Sequence, residues 1–144
     1  MIMKNRVIAL LLVIFSLFSC CCFCSCGNED EIVTDVKFTI HSTEENGTLI
    51  SFYMTSDTEP MGFWEYSLDN EEIFSEFFFN EQTNEYGFLG KGGIASYKTL
   101  ILKPIKEGTS SISFNLTKGE RKYSFSLTAK EEDGKLVISA SEIK

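Results

Sequence analysis

From residue 32 onward, apolar and polar positions alternate with a period of two, the signature of strands with one face buried and one exposed. The run Ile32 to His41 sets Val36, Phe38 and Ile40 on one face, and Leu49 to Thr55 sets Ile50, Phe52 and Met54 against Ser51 and Tyr53. Phe63 to Leu68 lines up Trp64, Tyr66 and Leu68. Tyr97, Thr99 and Ile101 alternate with Lys98, Leu100 and Leu102, and Ile112, Phe114 and Leu116 alternate with Ser111, Ser113 and Asn115. Lys122 to Thr128 repeats the pattern with Tyr123, Phe125 and Leu127, and Leu136 to Ala140 is the last such run. Ile73 to Phe79 is a short apolar run, followed by a polar connection from Asn80 to Tyr86.

Turn chemistry separates these runs. Asn46-Gly47, Asp69-Asn70, Pro104 to Gly108, Thr117-Lys118-Gly119-Glu120 and Glu132-Asp133-Gly134 are turn signals, and Ser56 to Gly62 reads as a loop. No segment beyond the N-terminal apolar run keeps apolar residues at the i, i+3, i+4 spacing of a helix. About seven or eight short strands without helices predict an antiparallel β-sandwich of immunoglobulin-like type.

One stretch, Tyr86 to Leu116, departs from simple alternation. Gly90, Gly92 and Gly93 fall within four residues, which predicts a loop with positive φ, because glycine weakens strand and helix interiors. An aromatic, Tyr97, follows; then come Lys103-Pro104, a turn ending at Gly108, and an alternating strand that begins at Thr109. In these features the stretch resembles the chagasin-like inhibitors of papain-type cysteine proteases. Gly62, Phe63 and Trp64 resemble the end of another loop of that family, in which Asn-Pro-Thr-Thr-Gly precedes an aromatic and a Trp. The resemblance runs from Thr48 to Ala140 and implies an immunoglobulin-like fold whose loops wedge into a papain-like cleft, one of them over the catalytic cysteine. By position, the first loop is Thr58, Glu59, Pro60, Met61, Gly62, Phe63 and Trp64, and the second is Gly90, Lys91, Gly92 and Gly93. Glycines in the second would let its backbone approach the enzyme wall. The chain departs from the family twice. Thr58 to Met61 do not match the Asn-Pro-Thr-Thr start. The third loop, where the family carries Arg-Pro-Trp, is here Lys118, Gly119, Glu120 and Arg121, short and without an aromatic anchor of the kind that dominates many interfaces.

Charge and cysteine placement bear on location. Lys4 and Arg6 precede an apolar run, Val7 to Phe18, of signal-peptide length. Leu17-Phe18-Ser19-Cys20 resembles a bacterial lipobox, so residues 1–19 are expected to be a lipoprotein signal peptide, Cys20 the lipidated residue, and 20–31 a tether to a domain spanning 32–144. All five cysteines, Cys20, Cys21, Cys22, Cys24 and Cys26, lie in this segment. Their spacing also suits a thiolate metal cluster, but no other Cys exists to complete a folded site, so lipidation is the reading adopted, with Cys26 as its alternative position. Removing residues 1–19, which hold Lys4 and Arg6 and no acid, leaves 11 basic against 21 acidic side chains, a formal charge of −10. An acidic surface disfavours nucleic acid and anionic lipid, so the membrane would be reached only through the lipid.

Catalytic chemistry is sparsely supplied. The single histidine, His41, lies in a strand with no nucleophile motif, and residues 32–144 contain no cysteine. Glu44-Glu45, Glu71-Glu72 and Glu131-Glu132 are neighbours in turns, which suits solvation better than acid/base work. The glycine stretch leads into a strand and lacks a P-loop Lys-Ser/Thr. Asn46-Gly47-Thr48 and Asn115-Leu116-Thr117 fit the glycosylation pattern, a weak signal beside a bacterial-type lipobox. Phe77-Phe78-Phe79 reads as a core strand with one outward ring rather than an adhesive patch. The sequence thus predicts a monomeric, surface-anchored inhibitor of a papain-like cysteine protease, neither an enzyme nor cofactor-dependent; the alternative is a non-inhibitory adhesion module on the same scaffold.

Overall fold

In the computed structural model, the described residues are 32–44, 47–88 and 91–144; the segment expected to be a signal peptide, Cys20 and the expected tether to residue 31, together with residues 45–46 and 89–90, lie outside them. The alternating runs form β1 (Asp35–Thr43), β2 (Gly47–Asp57), β3 (Trp64–Leu68), β4 (Phe74–Phe88), β5 (Lys91–Pro104), β6 (Gly108–Leu116), β7 (Lys122–Glu132) and β8 (Lys135–Glu142), with one helical turn, α1 (Thr58–Met61), between β2 and β3. They build two antiparallel sheets, one in the order β1-β2-β5-β4 and the other β3-β6-β7-β8. With β1 to β7 lettered A to G, this is the ABED/CFG arrangement of an immunoglobulin-type sandwich, with β8 added beside G.

The inward positions of the two sheets meet in an aromatic core. In the first sheet, the register sets Ile50 beside Leu102 and Phe52 beside Leu100. In the second, Phe114 pairs with Tyr123 and Ile112 with Phe125. Phe52 then contacts Phe114 at 5.0 Å and Phe125 at 5.4 Å between ring centroids, and Phe38 reaches Phe125 at 5.4 Å. Each of the buried rings of Phe52, Phe114 and Phe125 contributes about 1.5–3 kcal/mol by leaving water. Trp64, Phe74, Ile112, Leu116, Leu127 and Ile138 complete the core. His41 is exposed in β1.

The structure differs from the sequence pattern in four places. The apolar run Ile73 to Phe79 and the polar connection after it form one 15-residue strand, β4. Its far half, Asn80 to Glu85, is exposed, so β5 pairs its backbone while no buried face imposes a period of two on its side chains. Phe77, Phe78 and Phe79 are all exposed, at 47%, 48% and 39%. A break in register between Glu76 and Phe78 inserts an extra residue, and among the described residues β4 is an edge strand, so even the inward-facing Phe79 keeps contact with solvent. Gly92 and Gly93 lie within β5, opposite Gly87 and Tyr86, and neither has a positive φ; among the described residues of that hairpin the positive φ falls on Gly87, at 103°. The loop expected from Ser56 to Gly62 is shorter, because β2 continues to Asp57 and α1 follows at once.

Candidate functional site

The ABED/CFG order brings the connections β2–β3, β4–β5 and β6–β7 to one end of the sandwich, and hydrogen bonds tie them together. The first segment begins at Asp57. Its carboxylate caps α1, accepting from the Glu59 N–H at 3.2 Å. Glu59 has extended backbone angles (φ −127°, ψ 111°), which hold α1 to a single turn. Gly62 closes that turn, its N–H donating to the Thr58 carbonyl at 3.1 Å. Its φ is +78°, and a side chain there would run into Thr117 Oγ1 and lie 2.9 Å from the Lys118 nitrogen. The position therefore requires glycine for both conformation and space.

The third segment is fastened to the first. Thr117 Oγ1 accepts from the Phe63 N–H at 2.9 Å, and the Thr117 N–H donates to the Phe63 carbonyl at 2.9 Å. The Lys118 N–H reaches the Met61 carbonyl at 3.2 Å, and Lys118 Nζ pairs with Glu59 at 3.1 Å. That ion pair is solvated and contributes at most about 1 kcal/mol; the backbone bonds fix the segment. The Arg121 guanidinium donates to the Thr34 carbonyl, which ties the same turn to the chain entering β1.

The second segment is a two-stranded arm. β2 pairs with β5 only as far as Ala95, so among the described residues the sheet partner of Lys91 to Ile94 is β4. The Tyr86 hydroxyl donates to Asp57, the carboxylate that also caps α1, and so docks the arm against the first segment. A Cβ on Gly92 would strike the Tyr86 carbonyl oxygen and come within 2.7 Å of Gly87 Cα. One on Gly93 would lie 3.1 Å from the Tyr86 hydroxyl and 3.2 Å from Asp57 Oδ1. These glycines therefore serve close approach within the hairpin itself, a reason for their presence that needs no partner.

The expected site residues divide by depth. Glu59, Phe63, Gly92, Lys118, Gly119, Glu120 and Arg121 are exposed. Thr58, Gly62 and Trp64 are buried and support the end from beneath, with Met61 half-buried against the core. Trp64 is 1% exposed; its indole N–H donates to the Thr55 carbonyl at 2.8 Å, and its ring lies 5.6 Å from Tyr123. Pro60 lies in α1, Lys91 opens β5, and Gly90 is outside the described residues. Phe63 is an aromatic presented at this end, 37% exposed, with Lys98 Nζ 5.7 Å from its ring centroid and Lys98 in turn 3.3 Å from Glu81.

Three residues that organise this end are missing from the sequence-based set: Asp57, Tyr86 and Thr117. Asp57 had a readable signal, since Asp ahead of Thr58-Glu59-Pro60 is a helix-start pattern. Tyr86 and Thr117 act through contacts 29 and 54 positions away, which local pattern does not encode. Comparison of the chain with family models, with curated proteins and with solved structures found no match.

Proposed function

We propose that the chain is a surface-anchored protein inhibitor of papain-like cysteine proteases, acting by occlusion with the loop end of the sandwich. The observation that carries this reading is the convergence of the three connections, cross-braced through Asp57, Thr117 and Lys118 on a rigid β scaffold. A binding surface fixed before contact loses little conformational entropy on docking. The resemblance of Gly90 to Gly108, and of Gly62 to Trp64, to the chagasin-like family supports the same reading. In it, Phe63 and Glu59 meet the enzyme, the β4–β5 arm flanks the cleft, and the third turn buttresses the first. Attachment to the membrane runs through lipid on Cys20, the domain acts as a monomer, and the acidic surface leaves nucleic acid aside.

A second reading, a non-inhibitory adhesion module, is favoured by one observation, the three exposed phenylalanines of β4. Titrating the chain from Glu29 to Lys144 against papain and related enzymes separates the two. Reversible, stoichiometric inhibition supports the first, and none at micromolar concentrations across the panel supports the second.

A further inference from the structure

Strand β4 leaves one edge open. Among the described residues it pairs with β5 on one side and has no strand on the other, over a length of 15 residues. An open edge offers alternating N–H and C=O groups to another strand, and proteins usually blunt such edges with shortness, Pro, Lys or bulges. β4 has one irregularity, between Glu76 and Phe78, and contains neither Pro nor Lys. From Phe78 to Phe88 its register with β5 is unbroken. Beside the irregularity stand the three exposed rings of Phe77, Phe78 and Phe79. Pairing with Ile101 puts Phe78 on the outer face of the sheet, and pairing with Leu100 puts Phe79 on the inner face, 6.0 Å from the Tyr66 ring.

Behind this edge, where β3 and β4 border the gap between the sheets, lies a cavity of about 480 Å³ lined by Tyr66, Leu68, Glu71, Ser75, Glu76 and Leu102. It has two carboxylates and no basic side chain in its wall. The Tyr66 hydroxyl donates to Glu76. Burial, then that hydrogen bond and the charges of Glu76 and Glu71, push the phenol up to about 12, so the field of both carboxylates reaches the cavity.

We propose that the free edge of β4 accepts an extended basic segment of a partner protein as an added strand, its main chain bonding to β4, a Lys or Arg side chain entering the cavity toward Glu71 and Glu76, and an apolar neighbour covering Phe78. Strand addition of this kind takes affinity from the backbone and specificity from alternate side chains. Charge selects the occupant. From Phe74 to Phe88 the strand carries Glu76, Glu81 and Glu85 and no Lys or Arg, and the whole chain has a formal charge of −8. Glu81 is already paired with Lys98, but at the cavity a second copy of β4 would add carboxylates to Glu71 and Glu76, whereas a cationic strand complements them. The inference goes beyond the inhibitor reading and does not rest on it, since the cavity and the three rings belong to the half of β4 that pairs with Leu100 to Pro104, away from the hairpin arm.

The test uses a fluorescein-labelled octapeptide alternating Lys and Val, titrated with the full-length chain and followed by anisotropy. Saturable binding is expected, weakened at least tenfold by Glu71→Gln with Glu76→Gln, and weakened equally when alternate peptide nitrogens are methylated so that they cannot join a ladder. Glu132→Gln with Glu142→Gln removes the same charge from β7 and β8, at the far side of the second sheet, and is expected to change binding less than twofold. No saturable binding, equal binding of the methylated peptide, or equal weakening by the remote pair would overturn the proposal. So would a concentration-dependent dimer abolished by Phe78→Lys, which would assign the edge to a second copy.

Discussion

At the scale of residues, Trp64 and Tyr66 share a strand and do different work. Trp64 is buried, hydrogen-bonded to Thr55 and packed on Tyr123. Trp64→Ala is expected to cost about 3–5 kcal/mol, read from urea unfolding, because the cavity it leaves can collapse only in part. An unchanged midpoint with a loss of binding would move the ring from the core to an interface. Tyr66 carries a pH signature. Its phenol holds its proton more tightly in the fold than in the open chain, so the stability this supplies is complete below pH 10 and is lost as pH climbs toward 12. A tyrosinate absorbance titration should show a high-pH component, beside that of Tyr123, whose phenol burial and Asp35 also push up, that Tyr66→Phe removes and Glu76→Gln shifts downward. A step that stays in place in the Glu76→Gln variant would contradict the Tyr66–Glu76 contact. The alternation of Trp64, Tyr66 and Leu68 made this shared face legible in advance; the pairing of Tyr66 with Glu76 was not, because it joins strands of different sheets.

At the scale of elements, the β4–β5 hairpin and α1 were the least legible in the sequence. Period-two reading works where one face is buried, and the arm, at Asn80 to Gly87 and Gly92 to Ile94, has little burial to impose a pattern. Its glycines suggested a loop, whereas the structure uses Gly92 and Gly93 to let a strand pass close to Tyr86. Gly92→Ala is therefore expected to destabilise the arm by roughly 2 kcal/mol or more, the range of steric and backbone lesions. Hydrogen exchange should accelerate at Glu85 to Ile94 while β6 and β7 stay protected; unchanged exchange in the arm would contradict the close approach. Asp57 joins this arm to α1. Asp57→Ala is expected to cost about 1 kcal/mol as a lost cap, with faster exchange at both Glu59 and Tyr86; an effect on α1 alone would show that the Tyr86 contact does not hold the arm.

At the scale of the whole molecule, the fold was largely legible. Strands that alternate cleanly, such as those holding Phe52, Phe114 and Phe125, assemble in the ABED/CFG order, and that order by itself carries the three connections to one end. The bonds that lock that end were hidden from pattern, because Thr117 and Tyr86 act over long separations. For attachment, mass spectrometry of the membrane-extracted protein should find a diacylglyceryl group on an N-terminal Cys20, and a mature chain beginning at Cys26 would displace that assignment. The most direct test of the central claim is the inhibition titration of the chain from Glu29 to Lys144 against papain-like enzymes, run with Phe63→Ala in parallel. Phe63 is exposed and its contact with Lys98 is worth only about 0.5–1 kcal/mol to the fold, so the variant should remain folded. Stoichiometric, reversible inhibition that Phe63→Ala weakens tenfold or more, about 1.4 kcal/mol of binding, is the predicted result. Absence of inhibition at micromolar concentrations, or full inhibition by the folded variant, would contradict the account.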